Sequence, residues 1–367
     1  MVFKKKAAVL SALVAILALV YILTFVFDPQ RQQSRQAFSW LDPGLLSKVD
    51  RIEINGSGGG SPGGRTVLIR KNNIWVFEAE VAGLPEGNLV QPLANNQAQA
   101  EFPVKQGRVE DFLAVLTRRD IYPLRAVSDA GREKLGVVEG TASRIVVRGG
   151  AGLPLLDLLV GGSDALGQGV YLRRAGSNEI YSGEDHFTLY TESKPNAWYE
   201  LRLFPSDTQA VPVSRGNGNT GPLRAALTVE SIQQAEVTLP ESEEGGGAVQ
   251  PQSFTIRRQR TEGGGGGWGI VGSESVLDTT KVEAWLRSIL EAEGEDFSAG
   301  SPASIKGSIT LRFGDGTSRI VKIGPMETQD TEKRRSAVVS ESSLVYILPE
   351  WTVNRLFREA ASFLKTN

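Results

Sequence analysis

Val109-Glu-Asp-Phe-Leu-Ala-Val-Leu116 lies in an amphipathic run from Gly107 to Arg119, and Val282-Glu-Ala-Trp-Leu-Arg-Ser-Ile-Leu290 returns its pattern much later. In both, apolar residues recur three and four places apart, which predicts a helix with one buried face. The flanking segments repeat too. Before the first helix come the strand-like runs Lys48–Ile54, Thr66–Lys71 and Ile74–Phe77, the last two joined by Asn72-Asn73, a hairpin signal. Before the second come Ser231–Leu239, Ser253–Arg258 and Trp268–Val271.

After each helix strands resume. Ser143–Arg148, Pro154–Val160, Gly169–Arg173 and Glu179–Ser182 follow the first. Gly307–Phe313, Ser318–Ile323, Ala337–Ser340 and Leu344–Leu348 follow the second, with Gly314-Asp315-Gly316 as a turn. A short helix is expected over Asp129 to Leu135, capped by Asp129 and ended by Gly136, with helical turns at Asp185–Thr191 and Asn196–Leu201. An amphipathic helix over Glu350–Leu364 closes the chain. Trp75 answers Trp268, and Ile180-Tyr181 answers Val345-Tyr346. The pattern predicts an α+β fold: two diverged repeats, each a mostly antiparallel sheet with a packed helix, over 48–204 and 231–367, with a linker at 205–230.

Upstream, Ala7 to Phe27 (AAVLSALVAILALVYILTFVF) carries no charge and follows Lys4-Lys5-Lys6. As a helix it would rise about 31 Å, enough to cross a bilayer. Its bulky end, Tyr21 to Phe27, offers no small-residue cleavage site, so the reading is an uncleaved anchor rather than a signal peptide. The lysines put 1–6 in the cytoplasm, 7–27 across the membrane as a transmembrane helix, and a polar stalk at 28–47 outside. The chain is therefore expected to be single-pass, with its bulk in the periplasm or outside the cell.

The chain has 367 residues, 40 % of them hydrophobic and 22 % charged, enough for two ordinary domains. A net charge of −2 gives no reason to expect nucleic acid. There is no cysteine, so packing alone holds the fold. Glycines cluster at Gly56–Gly64, Gly245–Gly247 and Gly263–Gly267, between strands, as hairpin loops would.

The strings Leu159-Val-Gly161, Gly169-Val-Tyr-Leu-Arg173 and Ile180-Tyr181, with Lys48-Val-Asp-Arg-Ile-Glu-Ile54, Trp75 and the Asp129–Val137 segment, resemble a bacterial membrane-anchored domain of unknown function, domain forty-three-forty. The likeness covers about residues 48–204 well and the second half loosely. It implies a short anchor and an external α+β region. Such domains are often encoded beside gliding-motility-type ABC transporter subunits, which implies an accessory role at an inner-membrane transporter, with permease or ATPase subunits as partners.

Each group of residues that could carry chemistry also has a structural reading. His186, the single histidine, follows Glu184-Asp185, but one histidine cannot build a histidine-rich metal site, and the trio reads as a helix start. A Ser-His-Asp triad would need that histidine, and no G-x-S-x-G elbow is present. Ser362-Phe-Leu-Lys365 matches S-x-x-K without its partner motifs. Gly263–Gly267 lacks the Lys-Ser/Thr of a phosphate loop. Asn55-Gly-Ser57 reads as a turn rather than a glycosylation acceptor, and Glu291–Asp296 as a solvated helix end rather than a calcium loop. Glu78 and Glu80 share one side of a strand with nothing to fix a glycosidase spacing. Trp75, Tyr171, Tyr181, Trp268 and Tyr346 read as core packing rather than a sugar-binding face. The expectation is a non-enzymatic protein with no catalytic residues, no cofactor and no metal. The alternatives are an envelope glycan-binding module using a cleft between the repeats, and an uncharacterised hydrolase.

Overall fold

The structure is a computed structural model and describes residues 14–21, 37–57, 64–80, 99–205, 227–240, 252–260, 266–298, 302–329, 332–340 and 342–365. The chain is α+β with two antiparallel sheets, of nine and eight strands. By compactness it divides into Met1–Trp75 with Gly107–Ala197, and Val76–Gln106 with Trp198–Asn367.

The first sheet is built from β1 (Val49–Asn55), β2 (Arg65–Lys71), β3 (Ile74–Glu80), β4 (Gln99–Pro103), β5 (Leu124–Ala126), β6 (Ser143–Gly149), β7 (Pro154–Ser163), β8 (Gly169–Arg174) and β9 (Ile180–Glu184). Their order is β4-β3-β2-β1-β6-β7-β8-β9-β5. The second contains β10 (Ile232–Thr238), β11 (Ser253–Arg260), β12 (Gly266–Ile270), β13 (Asp296–Ser298), β14 (Gly307–Phe313), β15 (Ser318–Gln329), β16 (Glu332–Val339) and β17 (Val345–Pro349). Their order is β12-β11-β10-β14-β15-β16-β17-β13, the order of the first sheet without β4.

The agreement extends to single residues. Val49, Ile52 and Ile54 of β1 are buried, and so are Ile232, Ala235 and Val237 of β10. The pairing of β1 with β6 slips between Val49 and Arg51, and that of β10 with β14 between Ile232 and Gln234. Leu124 faces Tyr181 where Phe297 faces Tyr346. Gly161 and Gly324 both follow the last regular pair before a bulge, Val160 and Ile323. A side chain at Gly161 would meet the Leu135 carbonyl oxygen at 2.5 Å, and one at Gly324 the Ser336 hydroxyl at 2.6 Å.

Helix α1 (Gln106–Thr117) precedes α2 (Asp129–Lys134) and α3 (Thr188–Thr191), and α4 (Thr279–Leu290) precedes α5 (Glu350–Leu356). Val109, Phe112 and Leu116 are the buried stripe of α1, and Val282, Trp285, Leu286 and Ile289 that of α4. The expected hairpins are present. Asn72 and Asn73 both have positive φ (51° and 65°), the conformation a two-residue hairpin turn demands, and Gly136 ends α2 at φ 70°.

Three local expectations change. The cap of α2 is Ser128, whose hydroxyl accepts from the Gly131 amide, and Asp129 falls in the first turn. Glu350–Leu364 is not one helix: α5 stops at Leu356, and a 3-10 turn spans Ala360–Phe363. There the chain is drawn off the helical path, since the Phe363 carbonyl accepts the Asp278 amide at 2.9 Å and its ring is buried against Trp285. The acidic run also does not end as a helix, because Asp296 begins β13.

Among the described residues no helix is long and apolar enough to cross a membrane. Residues 14–21 are helical, with exposed apolar side chains. The rest of the expected anchor at 7–27, the tail 1–6, stalk residues 28–36 and linker residues 206–226 lie outside the described residues.

Candidate functional site

The pairing of β5 with β9 carries residues from distant parts of the chain to His186. Arg118 and Asp120 leave the end of α1, and Glu184 ends β9. His186 Nε2 lies 3.1 Å from Glu184 Oε2 and 3.2 Å from Arg118 Nη1. Arg118 Nη2 lies 3.9 Å from Asp120 Oδ2. The ligating atoms of Asp120, Glu184 and His186 are all within 4.8 Å of one another. These three could hold a cation, yet the Arg118 guanidinium already brings positive charge against the same nitrogen. That nitrogen cannot accept from Arg118 and donate to Glu184 in one tautomer. Asp185 points elsewhere and takes the amide hydrogens of Phe187 and Thr188 as α3 begins. The expected helix start is what Asp185 builds.

Beside this cluster Phe38, Trp40, Tyr122 and Tyr181 form a nest with ring centroids 5.0–5.8 Å apart. Arg174 covers it, with its guanidinium 5.6 Å from the Trp40 ring and Nη2 donating to the Trp40 carbonyl at 2.5 Å. Burial pushes the Tyr181 hydroxyl up to about 12, helped by its hydrogen bond to Glu179 and that residue's charge. Burial likewise raises Tyr122, with the charge of Asp120 adding to it. Both phenols are structural acids held neutral. Of the other expected aromatics, Trp75, Trp268 and Tyr346 are buried, and Tyr171 is half-buried.

A second polar cluster lies on β1, β2 and β6, on the face away from Ile52 and Ile54. Glu53 Oε1 accepts from Arg51 Nε at 2.9 Å and Arg148 Nε at 3.1 Å, and Arg65 Nη2 lies 3.5 Å from Oε2. Burial works to raise the Glu53 carboxyl, but the hydrogen bonds and charges of Arg51 and Arg148 outweigh it, so the net displacement is downward. One strand over, Arg144 grips Asp157 through two bonds, at 2.8 and 2.5 Å.

A shallow, solvent-open notch of about 300 Å³ is lined by Ser47, Asp50, Arg70, Asn72 and Asn73. Its wholly polar lining is unlike the apolar, enclosing pockets that bury small molecules.

The remaining sequence candidates are placed apart. Ser362 Oγ donates to the Glu359 carbonyl. Gly266 and Gly267 open β12, while 263–265 lie outside the described residues. Asn55 ends β1, paired with Arg65 and Arg144, rather than forming a turn. Glu293 lies 3.9 Å from Lys105, and Glu295 is 3.0 Å from Arg334. Glu78 faces Glu101 across β3 and β4. Sequence reasoning missed Asp120 and Arg118 beside His186, and the three arginines around Glu53, because each grouping depends on strand pairing.

These features define an α+β scaffold of paired-off charges and aromatic packing. Residues 95–244 match the family model described as a domain of unknown function (DUF4340). The resemblance read from 48–204 is thereby upheld over its shared span. The chain matches no curated protein and no solved structure.

Proposed function

We propose that this is a non-enzymatic, single-pass membrane protein whose two diverged repeats form an external binding scaffold, serving as an accessory component of an ABC-type transporter at the bacterial inner membrane. The observation that carries the anchored reading is the uncharged stretch Ala7–Phe27 behind three lysines. The order of eight strands that the two sheets share, with bulges at matching places, supports duplication. The transporter partner rests on what the resemblance to the family implies. A scaffold of this kind acts by holding its binding surface at high local concentration beside the partner.

The test is affinity purification of the full-length, C-terminally tagged protein from membranes in mild detergent. Recovery of permease and ATPase subunits in reproducible ratio is expected. Recovery of the protein alone from an intact extract sinks the transporter role.

A further inference from the structure

We propose that the notch lined by Ser47, Asp50, Arg70, Asn72 and Asn73 binds the zwitterionic head of a free amino acid, Arg70 taking the carboxylate and Asp50 the ammonium. This goes beyond the scaffold reading above and needs no transporter partner.

The starting point is an arginine that both repeats carry. Arg70 follows Ile69, which faces Arg51 of β1, and Arg258 follows Arg257, which faces Gln234 of β10. The two arginines therefore hold the same place in the two sheets. In the second repeat that arginine is tied down. Arg258 Nε donates to the Ile232 carbonyl and Nη2 to the Val229 carbonyl, both at 3.3 Å, and its guanidinium lies 4.8 Å from the centre of the Trp268 ring. The matching carbonyls in the first repeat are those of Val49 and Leu46, at the same points of a 3-10 turn that leads into a strand. Arg70 bonds neither. Its Nε is shut off from water without an acceptor, and among the described residues its side chain makes no hydrogen bond or ion pair. The guanidinium is left to the notch.

The carboxylate in the notch is just as particular to the first repeat. Asp50 stands where the pairing of β1 with β6 slips, and its counterpart at the slip in β10 is the uncharged Gln233. The fold therefore needs no carboxylate at that point. Asp50 is exposed, and its side chain too makes no hydrogen bond or ion pair among the described residues. One cation and one anion face the same open space without pairing.

The ligand that complements them carries both charges on a small body. A carboxylate takes two N–H groups of a guanidinium side by side, and an ammonium gives its hydrogens to a carboxylate. The carboxamides of Asn72 and Asn73 and the Ser47 hydroxyl border the space with groups that both donate and accept. A notch of about 300 Å³, open and polar, suits a small ion held by charge and not an apolar body shut away from water. Exposed ion pairs are individually weak, so the binding is expected in the millimolar range.

The test titrates the full chain, in detergent micelles, with L-alanine and reads saturation transfer to the alanine methyl group by NMR. Saturable binding is expected, with acetate and methylamine, which carry one charge each, bound roughly tenfold more weakly. Arg70→Gln and Asp50→Gln should each weaken alanine binding by roughly tenfold, the second installing the residue that the second repeat carries. Circular dichroism verifies that the variants fold. If one unfolds, the parent's preference for alanine over acetate and methylamine decides. No saturable transfer in the parent overturns the proposal. So does acetate binding as tightly as alanine, or alanine binding that is unchanged in both folded variants. None of these outcomes depends on recovering transporter subunits, so this inference and the transporter reading fail separately.

Discussion

The indole N–H of Trp285 donates to the backbone oxygen of Leu356 at 2.8 Å, a buried bond that ties α4 to the end of α5. Trp285 is also in contact with the Phe363 ring at 4.9 Å. Trp285→Phe keeps most of the apolar volume but orphans the Leu356 carbonyl, a loss of about 1–3 kcal/mol. Trp285→Ala adds a cavity and should cost about 3–5 kcal/mol. Urea denaturation of the two variants measures both. Equal midpoints for Trp285→Phe and the parent would show that the bond contributes nothing net.

Gly161 and Gly324 both face atoms that cannot simply turn aside. A methyl at Gly161 strikes the Leu135 main-chain oxygen at 2.5 Å, and one at Gly324 strikes the Pro302 ring at 2.7 Å as well as the Ser336 hydroxyl at 2.6 Å. Gly161→Ala and Gly324→Ala should each destabilise by about 1–3 kcal/mol, and changing Ser336 to alanine as well should relieve only part of the second loss. Thermal melts of both, with the double variant, measure these losses.

Asp278 caps α4, accepting from the amides of Thr280 at 2.9 Å and Lys281 at 3.2 Å. Asp278→Ala should cost about 1 kcal/mol and Asp278→Asn much less. Chemical denaturation distinguishes a cap from a mere surface charge, since only the cap is rescued by asparagine.

Glu53 titrates below its ordinary value of 4.5 in the folded chain. Its contribution to stability is present above 4.5 and is lost as pH falls through the lowered folded value. Glu53→Gln should flatten that part of the acid limb in a pH series of melting temperatures. An unchanged acid limb would mean that the arginines do not stabilise the carboxylate.

Tyr181 runs the other way. Its hydroxyl is raised from 10.0 to about 12, so its stabilising share is complete below 10.0 and is lost as pH climbs through about 12. Ultraviolet titration of tyrosinate should show one late-ionising group missing in Tyr181→Phe. A Tyr181 that ionises with the exposed tyrosines would contradict the geometry of the nest.

Elements set by local chemistry were legible before any coordinates. The helices α1 and α4 announce themselves through 3.6-residue spacing, and the Asn72-Asn73 turn through the one conformation that two asparagines in a hairpin favour. The pairing of Tyr181 with Tyr346 could be read from their neighbours. By contrast β5 and β13, three residues each, carry no periodicity of their own and exist because β9 and β17 present open edges. Ser128 and Asp129 are equally good caps by type, and only the extended backbone of Ser128 decides between them. The clusters around His186 and Glu53 were illegible for the same reason as β5. Arg118 and His186 stand 68 residues apart, and Arg148 and Glu53 stand 95 apart.

The way the chain enters the first sheet has a mechanical meaning. Phe38 and Asp120 exchange two backbone hydrogen bonds, at 3.0 and 3.1 Å, and the Leu41 amide reaches the Leu116 carbonyl at 2.9 Å. A pull arriving from the N-terminal side is therefore taken up first by these few bonds and by the rings of Phe38 and Trp40. Strand β1 lies behind them, clasped along its length by β2 and β6. The lead-in is built as a fuse: under load its few bonds are expected to part before the longer ladders of β1 are strained.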